Sequence, residues 1–491
     1  MADAERSKQQ ADELALRAHA AAEAWADASQ AEVDHVIEAM AQAGTEHAQR
    51  LADLAYEETG YGRPDHKAFK NLFNSQFLFE FIRHVPTVGV IAEHPSRRYV
   101  EIAEPVGVIA GLVPVTNPTS TVMFKGLIAV KARNAIVCAP HPRAVRCSAE
   151  TARVMDEAAV RAGAPRDLVQ CMTEVSLEGT DALMRHYRTD LILATGSRQM
   201  VLAAYSCGKP TYAVGPGNTT VYVHRSARDL GEVAAMIIVS STFDNGTPCA
   251  SEQAAVVDAE IAGRLRAEFE ARGSYFCDER EQAAVERMCF PQGAEGPASV
   301  DIVGQYATRL AEMAGIRVPP GTRMLVVRPR GVGRDHPLSR EILCPVLKWY
   351  EATTEAEADA TAYALLKYGG DGHTAAIHAE DDGAIGRFAS RMPAYRIVVN
   401  ETAIFGASGF TTGVDPSYML GTGTIGGTIT SDNIGPRHLV NVKRVALPVR
   451  SWREAGLEEN GHGPRSFAPP VASPELEALV REVVERVMAR V

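Results

Sequence analysis

Hydrophobic residues follow two alternating periods along the first half of the chain. Short apolar runs, typical of buried strands, are separated by stretches such as 145–162 and 198–207, where apolar residues recur with helical spacing. The predicted strands are AIVCAP, LVQCM, DLILATG, PTYAVG and TTVYVH. Because strands that alternate with helices build parallel sheets, this pattern predicts a doubly wound α/β domain.

A second alternating series runs from about 220 to 435 and predicts a second α/β domain. Its predicted strands are EQAAVVD, RMLVVRP, AAIHA and RIVVN. Ahead of both series, residues 9–60 are rich in alanine and have helical periodicity, and RRYVEIAEPVGVIAGLVPV (97–115) predicts a β-hairpin and a strand. No internal repeat is evident, so the two α/β units are not copies of one another.

The C-terminal end has a different composition. HLVNVKRVALPV (438–449) predicts a strand, and EENGHGPRSFAPPVAS (458–473) has the Gly, Pro and Ser content of a linker. Ser473 as N-cap and Pro474 in the first turn then predict a helix over 474–491. Helical spacing gathers its apolar residues on one stripe: Leu476, Leu479, Val480, Val483, Val484, Val487 and Val491. So short an amphipathic helix needs a surface to bind.

Charge and cysteine content narrow the class of protein. A net charge of −11 argues against binding to nucleic acid. The longest apolar run, Pro105–Val115, is shorter than the roughly 18 residues that span a bilayer, and the acidic N-terminus does not resemble a signal peptide. The eight cysteines form no CxxC pair, so neither a metal site nor a disulfide framework is expected. We expect a protein of a reducing cytoplasm that does not bind membranes.

Cys249 stands in a segment that favours its exposure, TFDNGTPCASEQ (242–253). Asn245-Gly246 and Thr247-Pro248 both favour turns, and small residues follow the cysteine. A thiol presented in this way is a candidate nucleophile, although most free cysteines are small buried hydrophobes. A thiol protease would also fit, but it needs a partner histidine, and none of the 14 histidines is marked out by the sequence alone.

Six separated segments decide between these possibilities for Cys249, because they follow one another in the order found in one protein family. They are GLVPVTNPTSTVMFKGLIAVKARNAIVCAPHPRA, ILATGSRQMVLAAYSCGKPTYAVGPGNTTVYV, TFDNGTPCASEQ, EILCPVLKWYEA, YGGDGHTAAIH and GTITSDNIGPRHLVNVKRVA. Over about 90–450 the chain resembles the CoA-acylating branch of the aldehyde dehydrogenase superfamily, especially the aldehyde-dehydrogenase half of bifunctional aldehyde/alcohol dehydrogenases.

The resemblance implies a role for four residues. Cys249 matches the nucleophile that attacks the aldehyde to give a thiohemiacetal. Asn117 matches the asparagine that binds the developing oxyanion together with the Cys249 N–H. Glu341 matches the glutamate that holds the nicotinamide ribose, and His373 matches a histidine near the active site that positions cofactor or CoA. Hydride transfer then leaves a thioester on Cys249.

The resemblance also implies how the nucleotide is bound, because no GxGxxG fingerprint is present. Gly196 and Ser197 match a helix start near the pyrophosphate. His141 replaces the lysine that usually grips the adenosine ribose, and the nearby Arg143 is a candidate for a phosphate of NADP or CoA. The resemblance also implies that Thr116 and Gly215 contact the cofactor. The expected cofactor is NAD, with NADP left open.

The acyl acceptor is expected to be coenzyme A. Hydrolytic relatives carry a glutamate as general base at the position of Ala213, in AVGPGN (213–218), so water lacks its base here. The resemblance thus implies oxidation of a short-chain aldehyde, of the acetaldehyde or propionaldehyde class, to its acyl-CoA. A sulfoacetaldehyde dehydrogenase, a hydrolytic enzyme and a non-catalytic scaffold are alternatives; Ala213 argues against the second, and the intact Cys249, Asn117 and Glu341 argue against the third.

The resemblance implies an aldehyde dehydrogenase fold, with a Rossmann-like cofactor domain, an α/β catalytic domain and a β-hairpin oligomerisation element. The expected ranges are 1–95 and 108–220 for the NAD(P)-binding domain, 221–435 for the catalytic domain, 96–107 and 436–450 for the oligomerisation element, 451–473 for the linker and 474–491 for the helix. A homodimer or homotetramer is expected. The helix resembles peptides that direct enzymes into bacterial microcompartments by binding a shell protein; packing on its own oligomer is the alternative.

Overall fold

A computed structural model describes residues 2–452 and the single position Ala478. The predicted linker, from residue 453 onward, and the predicted helix over 474–491 therefore lie outside the described residues, apart from Ala478.

The N-terminal third begins with helices that precede the first large sheet. They are α1 (Ala2–Trp25), α2 (Gln30–Glu46), α3 (Ala48–Thr59), α4 (Pro64–Leu72) and, after a π-helical turn over Phe73–Phe77, α5 (Leu78–Ile82). A capping box between Ser29 and Glu32 starts α2, and Gly60 in the left-handed conformation ends α3. Small buried residues on α1, such as Ala15 and Ala18, let this helix approach the sheet closely.

Two strands after these helices form an antiparallel hairpin, β1 (Gly89–His94) and β2 (Tyr99–Pro105). The prediction of a hairpin within 97–115 is therefore wrong. β2 forms its hairpin with β1, which precedes it in the chain, and not with the next strand after it. The turn at Pro95–Arg97 joins these two strands, although the predicted domain division assigned 89–94 and 99–105 to different units.

The first large sheet has five parallel strands in the order β5-β4-β3-β6-β7. The strands are β3 (Val108–Val113), β4 (Ala135–Pro140), β5 (Val169–Cys171), β6 (Leu191–Thr195) and β7 (Thr211–Val214). The helices between them are α6 (Pro118–Lys131), α7 (Val145–Arg161), α8 (Leu177–Arg185) and α9 (Arg198–Ser206). The order reverses at β3, and a crevice for ligands is expected at the carboxyl ends there.

The second large sheet has seven parallel strands in the order β10-β11-β12-β9-β8-β13-β14. The strands are β8 (Thr220–Val223), β9 (Ala254–Asp258), β10 (Ser274–Phe276), β11 (Met324–Val327), β12 (Val346–Ala352), β13 (Gly372–His378) and β14 (Ala394–Val399). The helices are α10 (Leu230–Thr242), α11 (Ala259–Ala271), α12 (Glu279–Cys289), α13 (Ala307–Ala314), α14 (Glu355–Gly369), α15 (Asp382–Arg391) and α16 (Ala403–Ala407). Every strand predicted in the two alternating series is confirmed.

A last strand, β15 (Val440–Ala446), pairs with β2 and completes a separate three-stranded sheet, β1-β2-β15. Its side chains are half-buried or exposed, in contrast to the fully buried β3 and β4. The mixed α/β fold with parallel sheets agrees with the predicted fold class. Among the described helices, none has both the length and the apolar character needed to cross a membrane.

Candidate active site

The candidate residues lie at opposite strand ends of the two large sheets. Asn117, His141 and Gly196 follow β3, β4 and β6, at the carboxyl edge of the five-stranded sheet. Cys249 and Glu341 precede β9 and β12, at the amino edge of the seven-stranded sheet. The site therefore lies between a carboxyl edge, where nucleotides bind in α/β folds, and an amino edge that presents the thiol.

The segment before the thiol has an uncommon backbone. After α10 ends, Asp244, Asn245 and Gly246 have φ angles of 47°, 53° and 73°, all in the left-handed region. The side-chain amide of Asn245 donates to the carbonyl of Gly304 at 2.9 Å, which holds this bend in place. The turn predicted at Asn245-Gly246 is confirmed, and it places Cys249 at the entrance to β9.

The thiol has a histidine as its direct partner. Sγ of Cys249 lies 3.1 Å from Nε2 of His373, the second residue of β13. The other ring nitrogen, Nδ1, lies 2.9 Å from the hydroxyl of Thr374. The sequence placed His373 near the active site; the structure brings its ring into contact with the reactive sulfur.

Electrostatics keep both members of this pair uncharged. Burial, together with the positive charge of Arg396, lowers the pKa of His373 to about 3. Burial, helped by Glu341 and opposed by Arg396, raises the pKa of the Cys249 thiol to about 12. At neutral pH the pair is a thiol beside a neutral imidazole.

A half-buried carboxylate and a glycine lie close to Cys249. Oε1 of Glu341 accepts hydrogen bonds from the backbone N–H of Gly217 at 2.8 Å and of Asn218 at 3.4 Å. Burial raises the pKa of Glu341, although these two N–H donors counteract the rise. A Cβ on Gly217 would lie 1.9 Å from the carbonyl oxygen of Cys249, whereas the predicted contact residue Gly215 has open space around it. The glycine required by close packing is therefore Gly217, which the sequence did not single out.

Asn117 is held by two neighbours just before α6. Its Nδ2 donates to the hydroxyl of Thr116 at 3.0 Å, and its Oδ1 accepts from Nζ of Lys70 at 2.5 Å. The side chain makes no capping bond to its own helix, so one amide hydrogen is left for another acceptor.

The sequence analysis did not single out four buried charged residues near the candidate site: Lys67, Lys70, Asp244 and Arg396. Arg396 is a charged residue within β14, and burial lowers its pKa to about 10. Its guanidinium donates to the carbonyls of Gly372 (3.2 Å) and His373 (3.0 Å), and to the carbonyls of residues 421 and 431 in the following segment. A buried arginine inside an apolar strand is the signal that could have revealed it.

The predicted pyrophosphate contact lies at the start of α9. The hydroxyl of Ser197 caps the helix by accepting from the N–H of Met200 at 3.4 Å, and Gly196 precedes it directly after β6. Just before it, the buried hydroxyl of Thr195 has no hydrogen-bond partner among the described residues. Free N–H groups and an unpaired hydroxyl at this edge suit a phosphate ligand.

The predicted ribose contact lies after β4, on the other side of β3 in the same sheet. His141 is exposed directly after β4, and its Nδ1 accepts from the N–H of Arg143 at 3.1 Å. The guanidinium of Arg143 donates to the hydroxyl of Tyr61 at 2.9 Å and to the carbonyl of Thr59 at 3.1 Å, and it stacks on the Tyr61 ring. Contacts within the chain thus hold Arg143 in place, and its contact with a phosphate of NADP or CoA stays a prediction.

Comparison with known proteins agrees with this geometry. Residues 2–276 match the aldehyde dehydrogenase family. An aldehyde-alcohol dehydrogenase of Streptococcus pneumoniae is 43% identical over 402 residues, which are 80% of this chain and 45% of that protein. The chain spans about half the length of the curated aldehyde-alcohol dehydrogenases that it matches.

Two solved structures cover nearly the whole fold. An acetylating aldehyde dehydrogenase of Geobacillus thermoglucosidasius is 47% identical, with a TM-score of 0.89 over 91% of this chain and 98% of that one. A propionaldehyde dehydrogenase from a fucose-utilisation microcompartment of Clostridium phytofermentans is 26% identical, with a TM-score of 0.80 over 90% and 97%. The chain belongs to the aldehyde dehydrogenase family, in its CoA-acylating branch.

Proposed function

We propose that the protein oxidises a short-chain aldehyde to its acyl-CoA, with NAD as the expected cofactor, NADP left open, and coenzyme A as acyl acceptor. The observation that carries this proposal is the 3.1 Å contact between Sγ of Cys249 and Nε2 of His373. Residues at the crevice fit a nucleotide, since Gly196 and Ser197 offer a helix start and Glu341 lies beside the thiol. A bound nicotinamide supplies the hydride acceptor.

In the first step the sulfur of Cys249 forms a bond to the aldehyde carbon. In the tautomer that carries its hydrogen on Nδ1, towards the hydroxyl of Thr374, Nε2 of His373 accepts the thiol proton as the C–S bond forms. The aldehyde oxygen gains negative charge as the C–S bond forms, and the free amide hydrogen of Asn117 and the N–H of Cys249 donate to it. The thiohemiacetal then loses hydride and becomes a thioester on Cys249.

In the second step the thioester is transferred. Ala213, in β7, gives no general base for water, so hydrolysis lacks the proton acceptor that it needs. Coenzyme A brings a thiol whose pKa, near the ordinary value of about 8.5, supplies thiolate by itself. Attack on the acyl carbon breaks its bond to the sulfur of Cys249 and releases acyl-CoA, and the leaving sulfur regains its proton from Nε2 of His373.

The test is an aldehyde panel, followed by NADH formation with and without CoA. Acetaldehyde, propionaldehyde and sulfoacetaldehyde are the substrates compared. With CoA we expect steady turnover, and without it a burst of NADH that matches the number of active sites, because the acyl-enzyme accumulates. Steady formation of free acid without CoA would contradict the acylating proposal. Cys249→Ala is the control, and it should abolish the burst while nucleotide binding remains.

Assembly and location are part of the proposal. The three-stranded sheet has polar, half-exposed outer strands, and we assign it to a homodimer or homotetramer contact. The apolar stripe predicted over 474–491, and the similarity to a microcompartment enzyme, support delivery into a bacterial microcompartment by binding a shell protein. Enzymes sorted in this way remain in the cytoplasm.

A further inference from the structure

Two buried lysines flank one buried aspartate beside the candidate active site. Lys67 and Lys70 lie three residues apart on one face of α4, and Asp244 belongs to the bend that precedes Cys249. Nζ of Lys67 lies 3.1 Å from Oδ2 of Asp244, and Nζ of Lys70 contacts the same oxygen. All three side chains are at most 2% exposed. Ion pairs this deep are costly to form and need a compensating role.

The carboxylate of Asp244 is fully bonded. It accepts from the hydroxyl of Thr247 at 2.7 Å and from the backbone N–H of Arg63 at 2.7 Å, in addition to the two lysines. Burial by itself would raise the pKa of Asp244, but the ammonium groups of Lys67 and Lys70 hold it below its ordinary value. The aspartate therefore stays ionised and fixes both lysine heads.

The same lysines also reach the segment that carries Asn117. Nζ of Lys67 donates to the carbonyl of Thr116 at 3.1 Å, and Nζ of Lys70 donates to Oδ1 of Asn117 at 2.5 Å. The cluster thus connects the bend before the thiol with the amide proposed to bind the oxyanion.

The lysine contact decides which way the amide of Asn117 points. A carboxamide has one accepting and one donating end, and rotation by half a turn exchanges them. Lys70 donates to the carboxylate of Asp244 and still has an N–H for Oδ1 of Asn117, whether its nitrogen carries three hydrogens or two. The NH2 group must then face away from Lys70, where one hydrogen meets Thr116 and the other is free.

We propose that Lys70 is a positioning residue for the oxyanion site: it holds Oδ1 of Asn117 so that the free amide hydrogen faces the aldehyde oxygen. The inference rests on the proposed role of Asn117. Donation to Oδ1 also polarises the amide, which strengthens its N–H as a donor when charge develops on the substrate. Asp244 anchors Lys70 to the bend that positions Cys249, so thiol and donor keep a fixed relationship.

The test is a double-mutant cycle between Lys70→Met and Asn117→Ala, read as the rate of the NADH burst. Met keeps the length of the buried stem and removes the donor. We expect Asn117→Ala to slow the burst by about 100-fold, the usual effect of removing an oxyanion donor. Lys70→Met should slow it by at least about 10-fold, and in the Asn117→Ala background the same change should cost less than about threefold, because coupled residues are not additive.

A second readout separates this role from general support of the fold. Alkylation of Cys249 by iodoacetamide needs no oxyanion donor, so its rate in Lys70→Met should stay within about twofold of the wild type. The matched control is Lys131→Met, which removes another buried lysine, paired with Asp34 at 2.5 Å and remote from the site. This control should lower thermal stability without slowing the burst. If Lys70→Met fails to fold, Lys70→Gln keeps a donor and should retain most of the burst rate.

The outcomes distinguish the two proposals. Fold-losses that multiply in the double variant, or a matching loss of alkylation rate in Lys70→Met, would overturn the positioning role of Lys70 and leave that of Asn117 standing. A burst rate near the wild-type value in Asn117→Ala would instead overturn the proposed role of Asn117, and the Lys70 proposal with it.

Discussion

The ring of His373 contacts the sulfur of Cys249 at 3.1 Å, and neither group is charged at neutral pH. The pKa of the imidazole is lowered to about 3 and that of the thiol is raised to about 12, in both cases mainly by burial. The pair therefore differs from a thiolate–imidazolium ion pair, in which the nucleophile is already formed. The sulfur must lose its proton during the attack, and the nearest acceptor is Nε2 of His373.

The first prediction concerns the pH dependence of thiol alkylation. The thiolate is the reactive form, and a raised pKa means that its fraction grows by about tenfold for each pH unit below that value. We expect the rate of inactivation by iodoacetamide to rise continuously from pH 6 to pH 9. A plateau that begins below pH 7 would contradict the uncharged pair and indicate a preformed thiolate.

The second prediction concerns His373→Gln. Removal of a general base commonly costs about 100-fold or more, so the NADH burst should slow by that order while nucleotide binding stays close to the wild type. The matched control is His378→Gln. His378 is buried at the other end of β13, and its ring nitrogens have no hydrogen-bond partner in the described part of the chain. An equal loss of burst rate in both variants would assign the effect to packing of the strand.

The third prediction concerns Glu341→Gln. Because the carboxylate is proposed to hold the nicotinamide ribose, we expect the KM for NAD to rise by about 10-fold, as for the loss of one charged hydrogen bond. The carboxylate also raises the pKa of Cys249, so the variant should be alkylated faster at a fixed pH. An unchanged KM for NAD would remove Glu341 from the cofactor site. Glu260→Gln, at an exposed position of α11, is the control.

The fourth prediction concerns residues 474–491, fused to a fluorescent protein in cells that make microcompartment shells. We expect recruitment of the fusion to the shells, and its loss on joint substitution of Val483→Glu and Val484→Glu, which place charge on the apolar stripe. Deletion of the segment should leave the kinetics of the enzyme unchanged, because every candidate site residue lies before it. A diffuse fusion, together with a less stable or dissociated truncated enzyme, would favour packing on the oligomer instead.

Local sequence patterns predicted much of the fold and part of the candidate site. Apolar runs predicted most strands of the two large sheets, because a strand buried on both faces is a continuous hydrophobic run; β10 and β12 were not among them. β1 was not predicted, because it belongs to a small sheet and contains both polar and apolar residues. The turn before the thiol was readable from Asn245-Gly246, since the left-handed conformation favours these residue types.

The network behind the site was not readable in the same way. Lys70 and Asp244 are separated by 174 positions, and Arg396 bonds to segments on both sides of it. A lysine in an N-terminal helix most often faces solvent. The sequence around Lys70 therefore does not indicate a buried partner so far along the chain. Only the packing of α4 against the bend before Cys249 makes these charges meet.

The hydrogen bonds that Arg396 makes to the segment after β14 bear on which residues of that segment can vary. Its guanidinium grips the segment that follows β14 mainly through main-chain oxygens, those of Gly421 and Ser431 among them. These hydrogen bonds fix the backbone of the segment but do not involve its outward-facing side chains. Ile425 and Ile429, for example, are exposed. We therefore expect these two exposed isoleucines to tolerate substitution, whereas Gly426 between them must stay glycine, because a Cβ there would lie 2.4 Å from the Cβ of Thr422.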